Sequence, residues 1–383
     1  MRDVVVLGVG QSQFGKLRES TVEQLGGEAA TAALADAGIR GSDLQMAYTS
    51  RLYSEMITGQ VVLKGIGVTA IEMVNVENAC AGGSTAVHEL YKSIAGGFCD
   101  VGLALGVESM TTSPVAGKLI PPAESDLDGQ LGMTMPVVFA LQARRLMETH
   151  GATEEDFARV SVKAHDAGAL NPRAQYRARL TVEEVLASRV IADPIRLLEC
   201  CPNTDGAAAV VLCSAQYAER IASSTPRVRI AASVLRSGDY FYKRRDLTSF
   251  TLGATTAALA YESAGVDPLD VDVVELHDAF ASEEIVHYED LQLCPVGDGV
   301  GLLRSGATSL GGRVPVNPSG GLLSLGHPLS ASGVRVVADV TAQLRGTAGD
   351  VQVPGARVGV AQMLGGASAG IETGACAVQV LTV

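Results

Sequence analysis

The sequence predicts an α/β protein in which short buried strands alternate with helices. Apolar runs of strand length recur between segments of helical periodicity, and this alternation is typical of parallel sheets with crossover helices. The 383 residues are 47% hydrophobic and include 43 glycines, but only 4% are aromatic. A chain of this length can bury a large core in two or three domains, and its composition excludes a disordered or fibrous protein.

The first cycle of elements begins near the N-terminus. Residues 4–10 form an apolar run that predicts a buried strand. Thr21 followed by Gln24 is a capping-box pattern that opens a helix to about Ala37, where Gly38 stops it. Similar patterns predict strands at 46–48, 71–76, 101–107 and 206–212, and a helix at 82–96.

The segment from Thr111 to about Glu199 interrupts this alternation. Prolines recur at positions 114, 121, 122 and 136, and most of 124–128 is acidic. Arginine-bearing stretches at 141–150 and 154–169 predict amphipathic helices. Because amphipathic helices need a surface to pack on, we expect a lid or loop domain at 111–199 rather than a linker.

A second cycle follows residue 225 and repeats the element order of the first. Its patterns predict strands at 228–234, 271–276, 357–362 and 375–381, and helices at 253–264, 282–293 and 329–344. We therefore expect an N-terminal half at 1–110 and 200–225, and a C-terminal half at 226–383. Cys80 and His327 lie at corresponding strand-to-helix turns, so two facing halves would bring them to one site.

Cys80 lies where the predicted helix at 82–96 begins, in the run ENACAGGSTA. Free backbone amides and the positive end of a helix favour a thiolate there, and small neighbours let a substrate reach the sulfur. A lone cysteine is more commonly a buried apolar residue. The Gly-Gly and Ser-Thr neighbours favour a nucleophile here.

Two histidines of the second half stand at element boundaries. His277 lies in ELHDAF after a predicted strand, and His327 lies in LGHP before a predicted helix. A histidine can take a proton from a thiol or donate an N–H to an oxyanion. For His327 a functional role is favoured. For His277 a functional role and a structural role, as the anchor of a turn beside Asp278, are equally expected. The other histidines lie on predicted helices among charged residues, and we expect them to be solvent-exposed: His88, His150, His165 and His287.

Charge and cysteine content bound the class of protein further. The net charge of −13 argues against nucleic acid or an anionic membrane as a partner. The cysteines at 80, 99, 200, 201, 213, 294 and 376 form no CxxC pair and no metal-binding spacing, so we expect them to be reduced and mostly buried, with no metal. The chain opens directly on a strand and has no apolar run of membrane-spanning length, which predicts a cytoplasmic protein without a membrane partner.

Taken together, the motifs resemble those of the thiolases, specifically the sterol-carrier-protein-type thiolases and their bacterial and archaeal relatives. The resemblance covers essentially the whole chain, and it rests on NACAGGS at 78–84, DGAA at 205–208, HDAF at 277–280, and GG at 320–321 with GHPL at 326–329 and Gly333. It implies the thiolase fold, five α-β-α-β-α layers made of two similar βαβαβαββ halves with an inserted loop domain. It also implies an acyltransferase that uses a coenzyme A thioester as substrate and holds no permanent cofactor.

The resemblance implies roles for the residues of these motifs. Cys80 would carry the acyl group as a thioester, and His327 would activate it. His327 and a water held by His277 would form the oxyanion hole for the second substrate. The backbone N–H groups of Cys80 and of Gly365 or Gly366 would bind the oxyanion of the acyl-enzyme.

The sequence also departs from the family pattern. Asp278 and Ser330 belong to the implied site as supporting residues, but Ser330 replaces a glycine and would narrow or re-polarise the mouth of the site. The second cysteine of classical thiolases is replaced by Met363, and Ala279 occupies the position where sterol-carrier-type enzymes place it. Cys376 lies in an apolar strand, so we expect it to be packed rather than catalytic.

These departures shape the expected function. We expect an acyltransferase that loads Cys80 and passes the acyl group to an atypical acceptor, or that takes its base from Ser330 through water or from a partner chain. One alternative is a retro-aldolase acting on β-hydroxyacyl-CoA, as in steroid side-chain cleavage, although such a lyase has no need of Cys80. Another is a non-catalytic acyl-CoA-binding subunit, although His277 and His327 together with Cys80 argue against it.

Expected partners follow from the same reading. The phosphates of coenzyme A need cations, and candidate clusters are Lys243-Arg244-Arg245 and Arg173, Arg177 and Arg179. A solvated charged face is equally typical of them, so no individual arginine is assigned as a ligand. By resemblance we expect a homodimer or a dimer of dimers. Relatives of this branch work with a small zinc-ribbon and OB-fold protein, which makes such a protein a candidate partner.

Overall fold

The computed structural model describes residues 2–118, 126–221, 225–238, 246–369 and 372–383. Its strands are β1 (Val4–Gln11), β2 (Met46–Ser50), β3 (Glu72–Val76), β4 (Val101–Ser109), β5 (Val190–Ala192), β6 (Ile195–Arg196), β7 (Asp205–Ser214), β8 (Val228–Ser237), β9 (Val273–Glu275), β10 (Val358–Ala369) and β11 (Glu372–Thr382). Its α-helices are α1 (Val22–Ala37), α2 (Thr58–Gly65), α3 (Gly82–Ala95), α4 (Leu127–Gln130), α5 (Met135–His150), α6 (Glu154–Leu170), α7 (Val182–Ala187), α8 (Ala215–Ala218), α9 (Thr251–Ala264), α10 (Ala281–Asp290), α11 (Gly299–Arg304) and α12 (Leu329–Arg345).

Nine strands form one sheet in the order β3-β2-β4-β7-β1-β8-β11-β10-β9. The two halves meet at β1 and β8, which pair antiparallel at Val5–Arg229 and Val6–Val228. Read outward from this seam, the first half runs β1-β7-β4-β2-β3 and the second runs β8-β11-β10-β9. The strand order is therefore the same in both halves, in agreement with the predicted repeat.

The second half differs from the first in its third strand. The βαβαβαββ order is complete in the first half, from β1 to β7. In the second half, the place of that strand is taken by a single bridge between Val274 and Val316. A short extended segment beside β9 thus replaces a full strand at this edge of the sheet.

Helices α3 and α12 form the central layer of the molecule. Helix α12 packs on β4 and β7 of the first half and on β9 and β10 of the second, and α3 packs on α12. Helix α1 covers the other face of β1, β4 and β7, whereas α9 covers β8 and β11. These contacts produce the five α-β-α-β-α layers that the sequence predicted.

The predicted boundaries of α1 are confirmed in atomic detail. The Thr21 hydroxyl accepts a hydrogen bond from the Gln24 N–H, and the Gln24 side chain accepts one from the Thr21 N–H. Gly38 ends the helix with φ of 66°, a left-handed conformation that favours glycine. Local sequence alone therefore sets both ends of this helix.

The segment between β4 and β7 contains helices, as its amphipathic patterns predicted. Helices α5 and α6 pack on α10, and α6 also packs on the turn Gly321–Leu325 that precedes α12. At this contact, a Cβ at Gly168 would lie 2.0 Å from the Ser324 hydroxyl, so only glycine fits. The inserted segment therefore packs on the C-terminal half beside His327.

Solvent exposure corrects two expectations. The cysteines form no disulfide, as expected. Most of them were expected to be buried, but only Cys99, Cys213 and Cys376 are, and the other four are partly exposed. None of the four histidines expected to be exposed is so in the structure, and His165 and His287 are buried. No helix in the described part of the chain is both long and apolar enough to cross a bilayer.

Candidate active site

Cys80 sits in a tight turn between β3 and α3. A 3₁₀ turn spans Ala79–Ala81, and α3 follows at once from Gly82. Ala79 has a φ of 47°, unusual for a residue with a Cβ, and its N–H donates to the Glu77 carboxylate at 2.5 Å. The turn therefore leaves Cys80 partly exposed at the N-terminal end of a buried helix.

Strand β10 runs directly against this turn. A Cβ at Gly365 would lie 2.2 Å from the Asn78 carbonyl oxygen and 2.7 Å from the Ala81 nitrogen. Gly366 has a φ of 66°, and a Cβ there would touch the Ala79 side chain. The predicted glycine pair therefore brings the backbone of the second half against the nucleophile turn.

Two further glycines bring α3 against α12. A Cβ at Gly83 would lie 2.7 Å from both the Ser330 carbonyl oxygen and the Val334 nitrogen. A Cβ at Gly333 would lie 2.2 Å from the Ser84 nitrogen. Because the obstructing atoms belong to the backbone, neither helix can give way locally, and the helix that follows Cys80 is fixed against the helix that follows His327.

The structure brings Cys80, His277 and His327 together. The Cys80 sulfur and one nitrogen of each imidazole all lie within 4.8 Å of one another. The two rings meet edge to face, with centroids 5.4 Å apart. His277 and His327 are only 6% and 4% exposed, and Nε2 of each has no hydrogen-bond partner among the described residues. Two imidazole nitrogens are thus free beside one thiol.

His277 is held in its charged form. Its Nδ1 lies 2.7 Å from the carboxylate of Glu283, which is fully buried. Burial would lower the pKa of His277, but the Glu283 carboxylate and the Cys80 sulfur together raise it to about 10. Burial would likewise raise the pKa of Glu283, but His277 and His287 lower it to about 2. At neutral pH both Nδ1 and Nε2 of His277 therefore carry protons.

The buried chain of charges continues to His287. Its Nε2 lies 3.4 Å from Glu283 and its Nδ1 lies 3.6 Å from Asp290. Burial would lower the pKa of His287, but hydrogen bonds to Asp290 and Glu283 raise it. The expectation that His287 is solvent-exposed is therefore wrong, because α10 is buried on every face. Its acidic residues also pair with basic side chains of other elements, as Glu284 does with Lys163.

His327 is held in its neutral form. Burial, the charge on His277 and the charge on Arg335 lower the pKa of His327 well below its ordinary value. Its Nδ1 lies 2.8 Å from the Ser332 hydroxyl, which itself donates to the Pro328 carbonyl oxygen. The hydroxyl must then accept from Nδ1–H, which leaves a lone pair on Nε2. His327 is placed to act as a base.

Asp278 supports the turn that carries His327. One of its oxygens accepts a hydrogen bond from the Leu322 N–H at 2.6 Å. A Cβ at position 321 would lie 2.2 Å from the other oxygen, so only glycine fits there. Burial and the nearby Glu284 carboxylate raise the pKa of Asp278 well above its ordinary value. Asp278 acts through the backbone of this turn rather than on a substrate.

Ser330 is fully buried, and its hydroxyl donates to Glu108 at 2.8 Å. Glu108 also accepts hydrogen bonds from the backbone of Leu52 and Tyr53. Leu52 and Tyr53 pack with Cys80 in a small apolar cluster. Ser330 therefore shapes the wall of the site through Glu108, and its proton is already engaged.

One thiol and two imidazoles lie together in this site, and these are the side chains that bind zinc in many proteins. A metal needs a lone pair on each ligand atom. In the charged form of His277, Nε2 carries a proton and offers no lone pair, and the absence of a metal stays a prediction. Of the arginines considered for coenzyme A, Arg179 pairs with Asp166, Arg173 and Arg177 are exposed, and the 243–245 cluster lies outside the described residues.

Sequence reasoning missed the residues that set the two protonation states. Glu283 lies six positions after His277, and Ser332 lies five positions after His327, so each pair is local in the chain. A polar residue within the helix that follows each histidine was the available signal. Thr204, whose hydroxyl accepts from the His327 N–H at 3.1 Å, is distant in sequence and had none.

Comparisons with known proteins agree with this geometry. Residues 4–216 match the family model of the thiolase N-terminal domain, and residues 235–373 match that of the thiolase C-terminal domain-like family. A benzoylsuccinyl-CoA thiolase subunit of Thauera aromatica is 39% identical, with 95% of each chain covered. An acetyl-CoA acetyltransferase of Methanothermobacter thermautotrophicus is 40% identical, with 96% of this chain and 97% of that chain covered.

Two other relatives extend the comparison. Sterol carrier protein 2 of Gallus gallus is 37% identical over 95% of this chain and 70% of its own length. A solved structure described as an Ltp2-ChsH2(DUF35) aldolase matches with a TM-score of 0.85 and 26% identity, over 100% of this chain and 98% of that chain. The predicted family, fold and enzyme class are thereby confirmed: the chain belongs to the thiolase family of acyltransferases.

Proposed function

We propose that this protein forms or cleaves a carbon–carbon bond next to a thioester by way of an acyl group carried on Cys80, with acyl-CoA as the acyl donor. One observation carries the proposal. A thiol, a neutral imidazole and a charged imidazole lie together, with one nitrogen of each ring and the sulfur within 4.8 Å of one another. A nucleophile, a base and a hydrogen-bond donor are the three groups that acyl transfer requires.

In the first step, Nε2 of His327 takes the proton of the Cys80 thiol. The sulfur then attacks the acyl carbonyl carbon, and the oxygen gains negative charge. We assign its stabilisation to the backbone N–H of Cys80 and an N–H of the Gly365-Gly366 pair, because β10 packs against the nucleophile turn. Collapse of the intermediate leaves the acyl group on Cys80.

In the second step, His277 acts on the other substrate. The proton on its Nε2 faces the same space as the Cys80 sulfur, and Glu283 keeps that proton in place. It can donate to the thioester oxygen of a second acyl-CoA, directly or through water, as that oxygen becomes an enolate. Loss of one such donor typically costs about 10²–10³ in rate.

A retro-aldolase remains a second candidate, because the aldolase structure matches over the whole chain with a TM-score of 0.85. An aldolase cleaves a β-hydroxyacyl thioester without a covalent acyl-cysteine. The free and partly exposed Cys80, with two imidazole nitrogens beside it, supports the acyl-transfer reaction instead. Covalent loading of Cys80 separates the two.

A protein partner fits the proposed function as well. One relative is named as a subunit, and the matched aldolase structure carries a second component in its description. We therefore propose that a small zinc-ribbon and OB-fold protein binds this chain, and that the chain itself forms a homodimer or a dimer of dimers. Coelution of the purified chain with such a protein, and its mass by light scattering, test these two assemblies.

The test of the proposed function is the intact mass of the purified protein after mixing with acetyl-CoA and with longer acyl-CoAs. We expect an added acyl mass in the wild type and in Cys294→Ala, but not in Cys80→Ala. Cys294 is a suitable control because it is also partly exposed, while burial followed by the nearby Glu289 raises its pKa to about 12 and keeps it a thiol. An adduct in Cys80→Ala, or none in the wild type with any donor, would contradict the proposal.

A further inference from the structure

We propose that Cys201 is the acid–base group that moves the proton at the α-carbon of the second substrate. The inference rests on the proposed function, because it concerns the same site and the carbon step of the same reaction. It answers the difficulty raised by Met363 and Ala279, which occupy the positions where the family places a second cysteine. The sequence predicts that most of the cysteines are buried, but Cys201 is partly exposed.

The first observation is the pairing of Cys201 with Ala279. Cys200 and Phe280 form an isolated antiparallel bridge, and the Cys201 N–H donates to the Ala279 carbonyl oxygen at 2.9 Å. This register places Cys201 directly opposite Ala279. Residues opposite each other in an antiparallel pair point to the same face, with Cβ atoms about 5 Å apart. The Cys201 thiol therefore stands beside the position that follows His277 and Asp278.

The second observation is where the same segment goes next. Asn203 forms a parallel bridge with His327, and the Thr204 hydroxyl accepts from the His327 N–H. The segment 200–204 thus runs from the turn of His277 to the turn of His327. Nε2 of both histidines is buried and lacks a hydrogen-bond partner among the described residues. Cys201 lies on the segment that spans the two turns carrying these free nitrogens.

The other nearby groups are already committed. Glu283 pairs with His277, and Glu108 accepts from the Ser330 hydroxyl and the backbone of residues 52–53. Met363 is fully buried and apolar, and Cys376 is fully buried in β11. Among the described residues, no hydrogen bond engages the Cys201 thiol. It is thus an uncommitted titratable thiol beside the position of Ala279.

The charge environment suits an acid. Burial raises the pKa of Cys201 well above its ordinary value, and the neighbouring thiols of Cys200 and Cys80 and the carboxyl groups of Asp278 and Glu283 oppose its ionisation further. The group is therefore a thiol at neutral pH. When the carbon–carbon bond is cleaved, the departing α-carbon must receive a proton, and a protonated thiol can supply it.

The cleavage cycle then balances. The Cys80 thiolate attacks the β-carbonyl carbon of a β-ketoacyl-CoA, the bond between the α- and β-carbons breaks, and its electron pair becomes an enolate. Cys201 gives its proton to the α-carbon, which releases the shortened acyl-CoA and leaves a thiolate on Cys201. This thiolate takes the proton of an incoming coenzyme A thiol. The coenzyme A sulfur attacks the acyl group on Cys80, and Cys80 leaves as the thiolate that began the cycle.

Loading of Cys80 from a simple acyl-CoA places less demand on Cys201. The leaving group is then a thiolate, which departs without prior protonation because the pKa of a thiol is only about 8.5. An enolate carbon is far more basic and needs a positioned acid. Replacement of Cys201 should therefore separate the two reactions.

The experiment compares the wild type, Cys201→Ala, Cys201→Ser and the neighbouring control Cys200→Ala. Cys200 donates its thiol to the Arg196 carbonyl oxygen and packs against the same apolar cluster as Cys201, so it reports the effect of a lost side chain in the same segment. The probes are acetyl-CoA, for loading of Cys80 and for exchange of α-hydrogens in D₂O, and acetoacetyl-CoA with coenzyme A, for cleavage.

We expect cleavage and α-hydrogen exchange to fall by about 10²-fold or more in both Cys201 variants, while acylation of Cys80 continues, because general acid–base help contributes about 10²–10⁴. Wild-type rates of exchange and cleavage in these variants would overturn the role of Cys201 and leave the proposed function intact. Loss of loading together with carbon chemistry in both variants would show a packing role and overturn it also. A wild type that forms no adduct on Cys80 contradicts the proposed function itself.

A second titratable side chain near Cys80 provides a further comparison. Tyr53 packs with Cys80 in the apolar cluster, and burial followed by the charge of Cys80 raises its pKa. We expect Tyr53→Phe to retain α-hydrogen exchange. Loss of exchange in Tyr53→Phe with full exchange in Cys201→Ala would assign the proton transfer to the phenol and overturn the proposal.

Discussion

Nδ1 of His277 lies 2.7 Å from a carboxylate oxygen of Glu283, and both side chains are buried. The pair fixes one imidazolium beside the Cys80 sulfur, while His327 a few ångströms away stays neutral. Two residues of one type thus receive opposite protonation states from their surroundings. Glu283 makes His277 a hydrogen-bond donor, and Ser332 leaves His327 as a base. The two roles therefore depend on these partners rather than on the histidines themselves.

Replacing Glu283 by Gln should move the basic limit of the cleavage reaction. The pKa of His277 is about 10 in the wild type, because Glu283 stabilises its charge. Without the carboxylate, burial dominates and His277 loses its proton at much lower pH. We expect the wild-type rate of acetoacetyl-CoA cleavage to persist toward pH 10 and the Glu283→Gln rate to fall already near neutral pH, measured as a pH–rate profile.

The same substitution should have a pH-dependent effect on stability. The raised pKa of His277 stabilises the fold below about 6.5 and loses this effect as pH rises through about 10. The lowered pKa of Glu283 stabilises it above about 4.5 and loses this effect as pH falls through about 2. Both effects are fully present between about pH 4.5 and pH 6.5. The difference in unfolding free energy between the wild type and Glu283→Gln should therefore be greatest in that range, where an unpaired buried charge costs about 3–5 kcal/mol.

A surface pair serves as the control for both measurements. Arg145 and Glu148 lie 3.8 Å apart on the exposed face of α5. Exposed pairs contribute roughly 0–1 kcal/mol. Glu148→Gln should leave the pH–rate profile and the unfolding curve unchanged, and a matching shift in that variant would remove the argument for the buried pair.

Gly333→Ala should push the two central helices apart. Its Cβ would lie 2.2 Å from the Ser84 backbone nitrogen, so α3 or α12 must move as a whole. Overpacking of this kind typically costs about 1–3 kcal/mol. We expect a lower melting temperature and slower acylation of Cys80, because the nucleophile and His327 are carried on opposite sides of this contact.

Gly301→Ala is the matched control for that variant. Gly301 lies in α11, and a Cβ there meets nothing within 4 Å. Alanine also has a higher helix propensity than glycine. The control should be as stable as the wild type or more so, with unchanged acylation. Equal losses in both variants would count against the close contact of the helices.

Ser332→Ala should weaken His327 as a base. The hydroxyl fixes the proton on Nδ1 and so keeps the lone pair on Nε2. Without it, the ring is free to place its proton on either nitrogen and to rotate. We expect acylation of Cys80 to slow by about tenfold to a hundredfold, part of the 10²–10⁴ that acid–base help contributes.

The control for Ser332 is Ser305→Ala, at an exposed hydroxyl just beyond α11 that donates to the Leu302 carbonyl oxygen and accepts from the Ala307 N–H. Acylation in this control should match the wild type. An unchanged rate in Ser332→Ala, measured by intact mass over time, would show that the orientation of His327 does not depend on the hydroxyl.

Asp278 should tolerate asparagine better than alanine. Because burial and Glu284 raise the pKa of Asp278 well above its ordinary value, its neutral form is favoured, and an amide can reproduce its shape and its acceptor for the Leu322 N–H. We expect Asp278→Asn to retain most of the acylation rate and melting temperature, and Asp278→Ala to lose both. Equal damage in the two variants would show that the charged carboxylate is needed.

Much of the fold could be predicted from the sequence because its signals are local. The capping box at Thr21, the stop at Gly38 and the alternation of strands and helices are read from neighbouring residues, and each was found in the structure. The meeting of Cys80 with His327 followed from the repeat of the halves, whereas His277 was added to them by the resemblance to the thiolases. Such features need no knowledge of distant contacts.

The remainder depends on contacts that the sequence does not display. His287 looks like a surface residue because α10 is rich in charge, yet every face of that helix is covered, and its charges pair with buried partners such as Lys163 and His277. Cys201 has no sequence signal of its own, and only the bridge between Cys200 and Phe280 shows that it lies opposite Ala279. The protonation states of His277 and His327 likewise come from partners that act through space.

The position of β11 bears on how the molecule assembles during synthesis. This strand leaves the ribosome after β10, yet it lies between β8 and β10 in the sheet. Until it inserts, β9 and β10 have no neighbouring strand that links them to the sheet of the first half, although α12 can already pack on α3, β4 and β7. The sheet that joins the two halves is therefore completed only by a strand that is made after β10, and the site between the halves gains its fixed geometry at that step.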